Sequence, residues 1–159
     1  MQSSINTLLS SSKWIFPVMI LMALGLAACG TSAPAPITGE ISTGIGQVVQ
    51  VDGGGQYTDI LPQELVTMAE TKDFPLVNVH VPYEGEIPGT DAFIPFDQIP
   101  AFLDDLPEDR DSKIVIYCRS GSMSAIAARE LVQLGYTNVF NLDGGFRAWS
   151  AAGNDLISP

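Results

Sequence analysis

Lys113-Ile114-Val115-Ile116-Tyr117-Cys118-Arg119-Ser120-Gly121-Ser122-Met123-Ser124 is the stretch that decides the fold. After Lys113, the four residues Ile114 to Tyr117 are apolar and mostly β-branched, the composition of a buried strand. Cys118 closes that run, and a turn of small residues follows. From Ser124 to Leu134, Ala and Leu recur at helical spacing, and Gly135 stands where a helix end takes a left-handed residue. A thiol therefore sits where a strand meets a helix N-terminus. The first amides of a helix have no internal partner, and with the helix dipole they favour an anion. A turn of small residues lets further amides face the same point as a nest. Arg119 adds a positive charge beside it. The thiolate is the nucleophilic form of cysteine, so Cys118 is a candidate nucleophile. The competing reading is a free cysteine that merely ends a core strand.

Composition narrows the function further. The chain has 159 residues, enough for one domain with a core of its own. Its net charge of −11 excludes a general nucleic-acid binder, which needs a basic face. A polyanion also avoids anionic lipid surfaces unless it is tethered. His80 is the single histidine, so a Ser-His-Asp hydrolase would depend on it, and no serine lies in a nucleophile elbow. One histidine and one free thiol are poor supply for a zinc site. Asp52-Gly53-Gly54-Gly55 is followed by no Lys-Ser/Thr pair, which removes a phosphate loop. No cofactor and no metal are expected.

The N-terminal part has a different character. Trp14 to Ala28 is almost continuously apolar but shorter than the roughly 20 residues of a transmembrane helix. It fits the apolar region of an export signal and ends Leu26-Ala27-Ala28-Cys29-Gly30. That ending resembles a bacterial lipobox, which implies cleavage before Cys29, acylation of Cys29, and a membrane-anchored lipoprotein on the extracytoplasmic face. Alternatives are an uncleaved anchor or an ordinary secretory signal. An acylated Cys29 cannot pair with Cys118, so any oxidised sulfur on Cys118 would need an outside reductant or acceptor. The expected division is a signal peptide over 1–28, a tether and extension over 29–55, and a domain over 56–159. Thr31 to Pro36 is a small, Pro-rich linker. Val48 to Val51 reads as an extra strand and Asp52 to Gly55 as a turn.

Within the domain, strands are expected near 57–60, 76–80, 92–94, 114–117 and 138–141. A helix opens at Pro62, the favoured first position for proline, and runs to Ala69. A short amphipathic helix is expected over Gln98 to Asp104 with Asp97 as its cap. The acid-rich run from Asp104 to Asp111 reads as a solvated loop. Asp143-Gly144-Gly145 reads as a turn, with Phe146 and Trp149 in the core. Alternation of strands and helices predicts an α/β domain with a mainly parallel central sheet flanked by helices. Sites in such sheets lie at the carboxyl ends of strands, where Cys118 and His80 both fall.

Three stretches carry a resemblance to one family. Cys118-Arg119-Ser120-Gly121-Ser122-Met123-Ser124 resembles the active-site loop of the rhodanese-like sulfurtransferases, with Met123 where many members carry Arg or Thr. Asn78-Val79-His80 takes the place of the family's Asp-Val-Arg, and Gly85-Glu86-Ile87-Pro88-Gly89-Thr90 that of Gly-His-Ile-Pro-Gly-Ala. Gly135 to Trp149 is similar to the family's C-terminal pattern. The resemblance spans about residues 56–153 and implies the rhodanese fold. It also implies a Cys118 persulfide, a loop from Arg119 to Ser124 (Ser120, Gly121, Ser122 and Met123 included) that binds the anionic sulfur, and Asn78 and His80 as supporting residues. The implied partners are a sulfane donor such as thiosulfate and an acceptor, cyanide or a thiol. A cysteine phosphatase would need Arg at position 124, where this chain has Ser, so phosphate chemistry is disfavoured. The alternative is a tethered non-catalytic module: a persulfide carrier, a sulfur sensor or a binding domain.

Overall fold

The computed structural model describes residues 44–158. The apolar block 14–28, Cys29, the Pro-rich linker and Pro159 lie outside the described residues. Within them, the strands are β1 (Gln47–Gln50), β2 (Gln56–Ile60), β3 (Leu76–Asn78), β4 (Ala92–Phe93), β5 (Ile114–Tyr117) and β6 (Val139–Leu142). They form one sheet in the order β1-β2-β6-β5-β3-β4. β1 runs antiparallel to β2, and every other neighbouring pair is parallel. The helices are α1 (Pro62–Ala69), α2 (Ser122–Gln133) and α3 (Gly145–Ala151).

β5 lies inside the sheet, between β6 and β3, and all four of its residues are buried. Its side chains alternate between two cores, as the two-residue period of a strand requires. Ile114 and Ile116 pack with Ala127, Ala128, Leu131 and Val132 of α2. Val115 and Tyr117 pack with Leu65 and Met68 of α1 and with Phe146 and Trp149 of α3. Continuing the alternation puts Cys118 on the α2 side, in the same core as Ile114 and Ile116. The β-branched run thus delivers the thiol to the face on which the next helix begins.

Local chemistry explains most of the boundaries. α1 opens on Pro62, and Glu64 accepts the Leu61 N–H at 2.7 Å and the Gly46 N–H at 2.7 Å. One carboxylate therefore ties the helix start to the segment leading into β1. Val51 and Gly55 close the hairpin between β1 and β2, with Val51 N–H donating to Gly55 O at 3.0 Å. At the end of α2, Gly135 is left-handed (φ +93°), its N–H donates to Val132 O at 3.0 Å, and Tyr136 N–H donates to Leu131 O at 3.0 Å. That pair of bonds satisfies the last carbonyls of the helix, and no residue with a Cβ takes this φ without strain.

Beyond shifts of a single residue, three expected elements change. The strand expected over 76–80 ends at Asn78; Val79 N–H still donates to Tyr117 O at 2.8 Å, and the His80 N–H goes back to Asn78 Oδ1 at 3.0 Å rather than to a neighbouring strand. α2 starts at Ser122, two residues before its apolar periodicity becomes readable. The helix expected over 98–104 is a 3₁₀ segment, Ile99–Asp105, interrupted at Phe102, and Asp97 does not cap it. Its turns close on bonds three residues apart, such as Ala101 N–H to Gln98 O at 2.9 Å.

The Gly85–Thr90 stretch is tied to β5 by one side chain. The phenol oxygen of Tyr117, fully buried, accepts the Ile87 N–H at 3.0 Å and pairs with Thr90 Oγ1 at 2.6 Å. Burial pushes its pKa from 10.0 to about 12. A raised phenol stabilises the fold fully below its unfolded value, and that contribution is lost as pH climbs through the folded one. Tyr117→Phe is expected to cost about 1–3 kcal/mol in urea unfolding at neutral pH, because Ile87 N–H is left buried without a partner. The variant should also lose part of the alkaline decline in stability that the parent shows between pH 10.0 and about 12.

Candidate active site

Cys118 follows β5 directly, and the residue is 1% exposed. Its sulfur accepts the Gly121 N–H at 3.1 Å. Ser124 Oγ lies 3.4 Å from the sulfur and 3.1 Å from Gly121 O, so its single hydrogen can serve either. Gly121 reaches the sulfur because its backbone is left-handed (φ +90°), which folds the loop back over Cys118 before α2 begins. Among the described residues, Gly121 is the loop amide that donates to Sγ itself. The sequence expectation of amides converging on this atom is thus carried by one amide and one hydroxyl.

The loop is held from behind by the start of α3. Phe146 N–H donates to Cys118 O at 2.9 Å, and Arg147 N–H donates to Arg119 O at 3.1 Å. Gly145, with φ +58°, makes this approach possible: a Cβ there would lie 2.2 Å from Cys118 O. A Cβ on Gly121 would lie 3.1 Å from Gly144 N. Gly144-Gly145, read from sequence only as a turn, is the surface on which the Cys118 loop rests. Two adjacent glycines directly after a strand were the available signal.

A cleft of about 370 Å³ opens above the thiol, lined by His80, Cys118, Arg119, Ser120, Ser122, Met123 and Arg147. Of the sequence candidates, Arg119, Ser120, Ser122 and Met123 line it, and so does His80. Gly121 and Ser124 are buried beside the sulfur instead. Asn78 is fully buried away from this lining, donating to Gly85 O at 3.0 Å and accepting from His80 N–H. It braces the backbone that positions His80.

Two residues of the cleft region escaped the sequence reading. Glu84 lies 3.1 Å from His80 Nε2 and 3.2 Å from Arg119 Nη1, so one carboxylate links two of the candidate residues. Arg147 lines the cleft from α3. Neither stands in a motif; the turn after β3 and the packing of α3 bring them in. The His80 ring also stands edge-on to Phe146, with centroids 5.7 Å apart, and its Nδ1 is buried without a partner.

A parallel α/β sheet with a thiol at the carboxyl end of an inner strand, held under a glycine turn and a helix start, defines a single-cysteine loop enzyme or a carrier built like one. The sequence pattern of the rhodanese-like domain family matches residues 61–152, and the chain belongs to that family. It is 43% identical over 96 residues to a sulfurtransferase of Allochromatium vinosum, covering 58% of this chain and 86% of that protein. Thiosulfate sulfurtransferase GlpE of Pseudoalteromonas translucida is 33% identical over 102 residues, covering 64% of this chain and 90% of that one. A rhodanese-related protein of Thermoplasma volcanium superposes with a TM-score of 0.53 at 25% identity, over 62% of this chain and 96% of that one.

Gly145→Ala tests the brace. A left-handed backbone costs an L-residue about 1–2 kcal/mol before any clash is counted. The variant is expected to melt lower and to react more slowly at Cys118 with a thiol-directed alkylating agent, whereas Gly153→Ala, with open space around its Cβ position, is expected to lose stability only.

Proposed function

We propose that this protein is a sulfurtransferase that carries a sulfane sulfur on Cys118. The observation that carries the reading is the Cys118 sulfur at the floor of an open cleft, with the Gly121 N–H at 3.1 Å. The sulfurtransferase names of the relatives from Allochromatium vinosum and Pseudoalteromonas translucida support it.

The reaction has two steps. The Cys118 thiolate attacks the outer sulfur of a donor such as thiosulfate; an S–S bond forms to Cys118, the bond to the sulfonate sulfur breaks, and sulfite leaves with the electron pair. The persulfide left on Cys118 then gives its outer sulfur to an acceptor. With cyanide, a C–S bond forms, the S–S bond breaks, and Cys118 returns as thiolate. No proton is gained or lost in either step as written. Preorganised donors around the sulfur stabilise negative charge wherever it stands in the cycle.

A second reading is a persulfide carrier without turnover of its own. Met123 puts a thioether in the cleft, and Glu84 already engages Arg119, so the loop offers little free positive charge. Thiocyanate formation from thiosulfate and cyanide by the full chain in detergent separates the two. Turnover that Cys118→Ser reduces to the buffer rate is expected for the enzyme. A stable persulfide on Cys118 by mass, with no turnover, would identify the carrier; no persulfide from any sulfane donor would leave a binding module.

The domain is proposed to work at a membrane. Leu26-Ala27-Ala28-Cys29-Gly30 after an apolar block supports acylation at Cys29. Two acyl chains suffice for stable anchoring. Mass spectrometry of the membrane fraction should find an acylated Cys29 as the first residue, and Cys29→Ala should release the protein or leave its signal uncleaved. An unmodified chain starting elsewhere rejects the tether.

A further inference from the structure

We infer that Arg147 is the residue that binds the charged end of an oxyanion donor such as thiosulfate. The inference rests on the sulfurtransferase reading and adds to it the group that selects the substrate.

The argument begins with where the positive charges go. Among the described residues, Lys72 pairs with Asp91 and Lys113 with Asp73. Arg110 stacks on Tyr136, 4.1 Å from the ring centroid, and Arg129 donates to Ala125 O at 3.0 Å. Arg119, in the cleft, lies 3.2 Å from Glu84. Arg147 also lines the cleft, and among the described residues its guanidinium has no carboxylate within pairing distance. It is exposed, and its own N–H is bonded to Arg119 O at 3.1 Å, which fixes α3 against the Cys118 loop.

An oxyanion that approaches a chain of net charge −11 meets an unfavourable overall field. It needs a local cation with no competing partner. Met123 supplies none, and Arg119 shares its charge with Glu84. Arg147 lines the same cleft from a different element, and a guanidinium offers a planar fork of donors suited to two oxygens of one anion. The donor class that fits is a small sulfur compound with a sulfonate end, thiosulfate or an alkyl thiosulfonate, its outer sulfur directed at Cys118.

The test uses the full chain in detergent with thiosulfate and saturating cyanide. Arg147→Gln is expected to raise KM for thiosulfate about five- to tenfold, the loss of one charge-assisted contact, with kcat within about twofold. Arg147→Lys should keep most of the affinity. Added salt should raise KM in the parent more than in Arg147→Gln. Met123→Arg in the Arg147→Gln background should lower KM again by returning a cation to the cleft. An unchanged KM in Arg147→Gln overturns the inference, as does a fall in kcat that Met123→Arg does not reverse. Should the parent fail to turn over thiosulfate, the sulfurtransferase reading falls by itself. Thiosulfate titration of Cys118→Ser by calorimetry then decides the Arg147 site: five- to tenfold weaker binding with Arg147→Gln sustains it, and equal or no binding ends it.

Discussion

Two backbone hydrogen bonds hold the site together, from the N–H groups of Phe146 and Arg147 to the carbonyls of Cys118 and Arg119. A trans peptide points its carbonyl and the following N–H in opposite directions. Drawing these two carbonyls toward α3 therefore turns the N–H groups of Arg119 and Ser120 away from it. The loop's acceptors are occupied on one side and its donors are left for the other. Gly145 permits the contact, since a Cβ at that position would overlap Cys118 O. The chemistry of a sulfur in β5's wake thus depends on a glycine 27 residues downstream.

The rest of the fold serves that junction. β5 is buried on both faces, so its period of two aims Cys118 toward α2. β6 pairs with β5 and leads straight into Gly144-Gly145, which brings the brace beside the loop it holds. β3 pairs with β5 on the other side, and the chain leaving it carries His80 and Glu84 to the cleft. Each wall of the cleft comes from the carboxyl end of a neighbouring parallel strand. That is the general location of sites in open α/β sheets.

The charge arrangement separates this chain from the pattern its motifs resemble. Met123 stands in the loop where the resembled pattern often has Arg or Thr, and Asn78-Val79-His80 stands where it has Asp-Val-Arg. Asn78 serves as a backbone brace through Gly85 O and His80 N–H, which needs hydrogen-bonding shape and no charge. Glu84 bridges His80 and Arg119, a compact network at the cleft edge. Arg147, a second arginine of the cleft, comes from the helix that also braces the loop.

The strand that ends at Cys118, the helix after it and the alternating α/β order were legible in the sequence, because strand and helix periods and glycine stops are local properties of the chain. Arg119, Ser120, Ser122 and Met123 line one cleft with Cys118 from the turn that local sequence marks, and His80 joins them from the carboxyl end of β3, where the strand-end rule had put it. Helix type at residues 99–105 was not legible, because a short, weak apolar pattern does not separate a 3₁₀ segment from an α-helix. Glu84, Arg147 and the role of Gly144-Gly145 were decided only by tertiary structure. Their positions relative to Cys118 follow from which strands pair and how closely α3 approaches the loop, and neither is encoded in the spacing of nearby residues. A sequence can mark where a reactive thiol will stand; the long-range pairing of β3, β5 and β6 chooses the charges that surround it.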